Sequence, residues 1–457
     1  MRKNISKILS VVLATAMAIG CMTGCANTKK EEVSTSTPVT SESTPASETV
    51  KESEPAVEEP IDYKDTEFRI TWWGNDSRHN STIALIEEFE KNYQNLTIDV
   101  EYTAFGDYFT KLNTQAVGND LPDVIQMNTP QYTGLAESDI LLPLDEYIAS
   151  GAIDLSKVSD VAISSDKVNG ITYAITTGTN VPLYIYNPAL LEEAGVTISQ
   201  TPSLDEFIDV AKKVYDKTGA IAGGVNFHEF CRMYGESRYA DDGKSVGFSE
   251  ETLKAFWQMY ADGVEYGWLP GPENIEVQTE SLSTSFAEKK IWASPTFSNQ
   301  VKATIGDSGL ELDMFALPYV EGYEPPTWMR ATMQWSIAAT SENPDLAAAF
   351  INYFVNNQTT YDITGVDRGI PINPEMRSYV AQDASDIDKK VMEFMTYLEE
   401  NGQLSASDKL DPAGAAEAAA VYPEYTEKVQ YGMLTSDGFD AAAKEVIEKM
   451  NAILAAE

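Results

Sequence analysis

The stretch from Phe68 to Met127 switches hydrophobic period four times, and this alternation limits the fold more than any other feature of the chain. "FRITWW" alternates and is rich in β-formers, which predicts a strand. "TIALIEEFEKNY" sets Ile83, Ile86, Phe89 and Tyr93 on one helical stripe. "LTIDVEY" returns to period two through Leu96, Ile98, Val100 and Tyr102. "DYFTKLNTQAVGN" is helical again, with Tyr108, Leu112 and Val117 inward, and "PDVIQM" is a short apolar strand after a proline turn. Strand and helix in turn predict an α/β fold built on a parallel sheet with helical crossovers. Ligands of such sheets sit beyond the C-terminal strand ends. The segments "ITWWGNDSRHN" (Ile70–Asn80) and "QMNTPQY" both fall at such ends.

A second α/β region opens at "TTGTNVPLYIYNPALLEEAGV". In "PSLDEFIDVAKKVYDKTG", Ser203 is placed to cap a helix, Glu206 follows three residues later, and Phe207, Val210, Ala211 and Val214 form the stripe. "SEETLKAFWQMYADG" and "SLSTSFAEKKIWAS" read as further helices, and Trp257 reads as core. "LDMFALPYVEG" is a strand. "WSIAATSENPDLAAAFINYFVNN" is a strand, a turn and a helix with Leu346, Ala349, Phe350 and Phe354 inward. The last amphipathic stretch runs through Phe439, Val446, Met450 and Ile453.

The N-terminus reads as an address. "MRKNISK" is basic, an apolar run follows, and the run is too short for a comfortable membrane span. It ends in "MTGCA", which resembles the lipobox of bacterial lipoproteins. Residues 1–24 are therefore expected to be a signal peptide and Cys25 the lipidated residue, with Cys21 as the competing choice. Acylation on more than one chain would anchor the protein stably. Residues 25–64 are rich in Ser, Thr, Pro and Glu and poor in large apolar side chains, which predicts a disordered tether. Only Cys231 then remains, so no intrachain disulfide is expected and Cys231 reads as a small buried hydrophobe.

Charge bears on the partner. With 32 Lys and Arg against 71 Asp and Glu, the net charge is −39, a field that repels nucleic-acid backbones. It also argues against an anionic ligand unless a local cation overrides it, an exception kept open by Arg78, Arg330 and Arg368.

From about Glu67 onward, "DVEYTAFGDYFTKLNTQAVGNDLPDVIQMN", "LYIYNPALLEEAGV…TPSLDEF" and "WSIAATSENPDLAAAFINYFVNN" resemble, in their order and spacing, the extracellular solute-binding lipoproteins (family 1, carbohydrate type) of ABC sugar importers. Arg78-His79 and "RGIP" at Arg368–Pro371 are similar to one subgroup. The resemblance implies a two-lobed, class II periplasmic-binding-protein-like fold with a cleft between lobes joined by several hinge crossings. Lobe one would be residues 65–179 plus 319–366, and lobe two 180–318 plus 367–457, with hinges near "TGTNV", "ALPYV" and "GVDRG". It implies an oligosaccharide ligand, delivery to ABC permease subunits, no cofactor, no catalysis, and a monomer lipid-anchored on the extracellular face of a Gram-positive-type membrane.

A neutral sugar offers C–H ring faces that stack on aromatic plates and hydroxyls that need polar edges. "WWGNDSRHN" supplies both. One tryptophan of the pair is expected in the core because adjacent strand residues face opposite ways. Trp73 is taken as the ligand plate, with Asp76, Arg78 and His79 at hydroxyls. Asn128 and Tyr132 join from the next strand end. Trp292 and Asn299 in "IWASPTFSNQ", Trp328 and Trp335 in "PPTWMRATMQWS", and Arg368 complete the expected set, which contains no metal ligands. Two other classes stay open. An anchored glycoside hydrolase would need two carboxylates across a cleft, and a polyamine or peptide binder would suit the acidic surface. Two His and three Cys argue against direct transition-metal capture.

Overall fold

The computed structural model describes residues 62–407 and 411–456. The expected signal segment, Cys21, Cys25 and nearly all of the tether lie outside the described residues. The strands, in chain order, are β1 (Arg69–Trp73), β2 (Asp99–Thr103), β3 (Val124–Met127), β4 (Lys167–Val168), β5 (Ile171–Thr172), β6 (Ile175–Asn180), β7 (Pro182–Tyr186), β8 (Ile221–Ala222), β9 (Ile291–Phe297), β10 (Asp313–Ala316), β11 (Arg330–Ile337) and β12 (Ile370–Pro371). They form a six-stranded sheet ordered β12-β6-β11-β3-β1-β2, a four-stranded sheet ordered β10-β7-β9-β8, and the hairpin β4-β5.

The predicted alternation builds the parallel heart of the first sheet, where β1 lies between β2 and β3. The sheet is mixed rather than wholly parallel, because β11 returns from the second sheet and pairs antiparallel with both β3 and β6. Helices cover both faces. On one side Leu85, Ile86 and Phe89 of helix Asp76–Glu90 pack with Trp72, Trp335 and Phe350. On the other, Tyr108 and Leu112 of helix Phe105–Val117 pack with Trp73, Met127 and Tyr132. Each such buried side chain contributes about 1.5–3 kcal/mol. Val117, expected inward, is 89% exposed at the last residue of its helix.

The second sheet's core gathers Phe207, Trp257, Trp268, Trp292 and Phe315, with Cys231 buried among them. Ser203 caps helix Leu204–Thr218 as the sequence predicts, its hydroxyl accepting from Glu206 N. The terminal helix Phe439–Leu454 packs on the same core. The expected helix "SLSTSFAEKKIWAS" stops at Ala287, and Ile291 and Trp292 instead begin β9.

Among the described residues two connections join the two sheets, and a third leads from the first sheet's helices to those on the second sheet's core. The first takes one residue: β6 ends at Asn180 and β7 begins at Pro182. The second runs from the end of β10 at Ala316 to the start of β11 at Arg330. The third follows helix Asp386–Glu400, and it touches the second through a bridge between Trp328 and Ser405. The first two include part of "TGTNV" and "ALPYV". The third does not lie at "GVDRG": β12 pairs with β6, and helix Pro374–Ala381 follows it. Residues 370–371 thus belong with the first sheet, and a lobe boundary at 366 cuts that sheet's edge strand from its partner.

Candidate functional site

Because β6 and β7 are nearly continuous, the C-terminal edge of the first sheet faces the second sheet. Arg330 pairs with Asn180 and Phe297 with Pro182, so the start of β11 and the end of β9 meet at the same crossing.

The segment after β1 is not the open connection that its polar crowding suggests. Asn75 caps a helix that starts at Asp76, its side chain accepting from Arg78 N, so Asp76, Arg78 and His79 lie in the first turn. Arg78 closes over Gly74, where a Cβ would meet its Cδ at 2.7 Å, and pairs with Asp367. His79 accepts a hydrogen bond from Trp72 Nε1 at 3.2 Å and lies on Tyr102, with ring centroids 4.3 Å apart. Desolvation holds its pKa below the ordinary histidine value. Asp76 remains exposed at the helix start, where its charge suits the positive end of the dipole.

The tryptophans require correction. Alternation was expected to leave one of Trp72 and Trp73 facing ligand, yet both are buried, because helices cover both faces of the sheet. Trp73, 6% exposed, sits among Tyr108, Phe109 and Phe105, and Phe105 is the open member of that group. Trp292 is fully buried between Phe207 and Phe315 in the second sheet's core. Trp335 packs against Phe350 and Phe354. Neither presents a face to the cleft. Arg368 is equally internal: it donates to Gln126 Oε1 and Thr82 Oγ1 at 2.8 Å and lies over the Trp335 and Phe354 rings. Burial lowers its pKa to about 9. It clamps the first lobe rather than a ligand.

The remaining expected residues lie apart: Trp328 is buried beside the crossing, and Tyr132 and Asn299 line different cavities. Trp328, in the second connection, has the Arg232 guanidinium 4.5 Å from its ring centre, His228 at 5.1 Å and Phe297 edge-on at 6.5 Å. Arg330 lies over the other ring of this group, 5.4 Å from the centre of Phe297. Asn128 caps helix Thr129–Glu137 by accepting from Gln131 N. Tyr132 on that helix donates to the Ser165 carbonyl and lines a cavity of about 480 Å³. Thr129, Thr133, Ser164 and Ser165 line it from the first lobe; Ser237, Arg238, Tyr239 and Asp241 close it from the segment that joins the second lobe's terminal helices. Asn299 is exposed and lines a separate cavity of about 220 Å³ with Asn180, Ser298 and Lys302.

The sequence reading missed Phe297, Phe105 and the Arg238–Tyr239 pair. Phe297 had a usable signal, since it ends an apolar run immediately before Ser298 and Asn299. The Arg238–Tyr239 pair had none: its place follows from Tyr239 donating to the Ala415 carbonyl and Arg238 pairing with Asp411, contacts distant in sequence.

Two carboxyls are buried behind these surfaces. Asp166 accepts from Thr176 N, Thr176 Oγ1 and Gln334 Nε2, yet burial raises its pKa to about 7. Glu229 is raised to about 7 by burial, with Asn226 Nδ2 donating to one oxygen. Each belongs to its own lobe.

Comparisons with known proteins give the chain a family and a fold. The sequence profile of bacterial extracellular solute-binding proteins matches residues 75–361. The multiple sugar-binding protein of Streptococcus mutans is 23% identical over 334 residues, covering 66% of this chain and 75% of that protein. A family 1 extracellular solute-binding protein from Alicyclobacillus acidocaldarius superposes with a TM-score of 0.78 at 24% identity, over 87% of this chain and 99% of that one. A periplasmic oligogalacturonide binding protein from Yersinia enterocolitica superposes with a TM-score of 0.71 at 17% identity, over 85% and 98%. At these identities the structural likeness speaks for the two-lobed fold.

Proposed function

The chain belongs to the bacterial extracellular solute-binding proteins, and from that premise we propose that it captures an extracellular carbohydrate, an oligosaccharide, as the substrate-binding component of an ABC importer. The observation that carries this reading is the cavity of about 480 Å³ walled by residues of both lobes, with four hydroxyl side chains and Tyr132 on one wall and Ser237 and Tyr239 on the other. Hydroxyls that both donate and accept, set beside aromatic rings, match the chemistry of a polyol.

Ligand first occupies one lobe. Closure about the crossings at Asn180–Pro182, Ala316–Arg330 and the chain after Glu400 then brings the second wall onto it. The closed state is favoured only by the contacts it adds. Asn128, Tyr132 and Asn299 remain in the proposed contact set, with Phe105 in front of buried Trp73 and Phe297 in front of buried Trp328; Asp76 contributes at the rim. The closed protein docks on permease subunits, and Cys25 carries the lipid that holds a monomer at the outer membrane face. No helix among the described residues is long and apolar enough to cross a membrane. We read the role as binding without catalysis.

A thermal-shift panel of neutral oligosaccharides, peptides and polyamines tests this. Saccharides are expected to raise the melting temperature and to be recovered uncleaved. Stabilisation by amines or peptides alone, or release of cleavage products, would overturn it.

A further inference from the structure

We infer that the saccharide taken up carries a carboxylate, and that Arg330 is the residue that selects it; this rests on the carbohydrate reading above. Among the described residues, Arg69, Arg78, Arg238, Arg368 and Arg377 each have a carboxylate oxygen within 3.8 Å. Arg232 is buried and donates to the carbonyls of Pro326 and Ala406 and to Ser405 Oγ. Arg330 differs from all of these. It is exposed, no carboxylate among the described residues lies within ion-pair distance, and its guanidinium rests on the Phe297 ring. In a chain with 71 acidic residues against 32 basic ones, Arg330 is an arginine at the interlobe crossing with no counter-ion among the described residues.

The geometry suits a carboxylate. The guanidinium centre stands 5.4 Å from the Phe297 ring centre, and its forked N–H donors suit a bidentate bond to a planar anion. Arg330 belongs to the strand of the first lobe and Phe297 to that of the second, so an anion held there bears on both lobes at once. In the cavity of about 480 Å³, which Arg330 does not itself line, Lys167 and Arg238 are outnumbered by Glu137, Asp241 and Asp411, a poor setting for a carboxylate. The other two arginines that the sequence left as candidates are already committed, Arg78 to Asp367 and Arg368 to Gln126 and Thr82.

Isothermal titration of the full chain with matched pairs tests the inference. The probes are a galacturonate trisaccharide against the same trisaccharide with its carboxyls reduced to alcohols, and glucuronate-bearing xylotriose against plain xylotriose. At least one acidic member is expected to bind about tenfold or more tightly than its neutral partner, since a hydrogen bond to a charged group exceeds a neutral one by that order. Arg330→Gln should erase the preference while leaving neutral affinity within about threefold, and Arg330→Lys should restore part of it. Added salt should shrink the difference. Neutral members binding as tightly as acidic ones, or Arg330→Gln weakening both alike, would overturn this inference and leave the carbohydrate reading standing. No binding by any saccharide would remove both.

Discussion

Phe297 ends β9 with the Arg330 guanidinium on its face and Trp328 at its edge, whereas Trp292, five residues earlier on the same strand, is sealed inside the second lobe. Their alanine variants should therefore fail in different ways. Phe297→Ala is expected to weaken ligand binding by roughly 1–3 kcal/mol with little change in stability; calorimetry showing wild-type affinity would take Phe297 out of the site. Trp292→Ala should cost about 3–5 kcal/mol of stability in denaturant titration, and a fully stable variant with lost affinity would return Trp292 to the ligand. The buried carboxyls set a pH dependence. Asp166 and Glu229 have folded pKa values raised to about 7, above their unfolded values, so the folded state holds protons that the unfolded chain has released. Their contribution is full below about pH 4 and is lost as pH rises through about 7. Unfolding free energy should thus fall between pH 5 and about 8, and Asp166→Asn with Glu229→Gln should flatten that fall; an unchanged slope would count against the raised values.

At the scale of elements, the segment after β1 shows what a helix start does to polar residues. Asn75 and Asn128 each cap the helix that follows a strand end, so both serve backbone N–H groups before any ligand. Asn128→Ala should cost about 1 kcal/mol of stability. Asn128→Ser keeps the cap and removes the amide, so a drop in affinity without a drop in stability would assign Asn128 a ligand contact. Equal affinity would leave it as a cap alone. The helical stripes through Leu85, Ile86 and Phe89 and through Phe207, Val210 and Val214 were legible in the sequence because a 3.6-residue period needs only local information. The start of β9 was not: "KKIWAS" is a short apolar run that periodicity cannot divide between helix and strand, and pairing with β7 decides it.

For the molecule as a whole, the consequence is closure. Saturating ligand is expected to reduce the radius of gyration in solution scattering, because the walls around Tyr132 and Tyr239 approach across the cavity. An unchanged scattering profile with full binding would mean that the cavity is already closed on its ligand. The lobe boundary shows why organisation at this scale escapes local reading. Gly369, at φ +102°, lies against Thr332 and Gly178, where a Cβ would come within 3.1 Å of the Gly178 backbone. That contact fastens the chain before β12 to the first sheet, and nothing in "GVDRGIP" taken alone says which sheet it joins.

The sequence by itself determined the α/β class, the alternation that makes the first sheet's parallel heart, the amphipathic helix faces and, through the order of three segments, the family. Tertiary structure alone decided which aromatics and arginines face the cleft. Period and propensity fix which side of an element is apolar, but whether that side is then covered depends on partners far along the chain. Trp73 and Trp335 were drawn into cores by helices on both faces, Arg368 was committed to β3 and the first helix, and Phe297 and Arg330 were left open where two strands from different lobes end together.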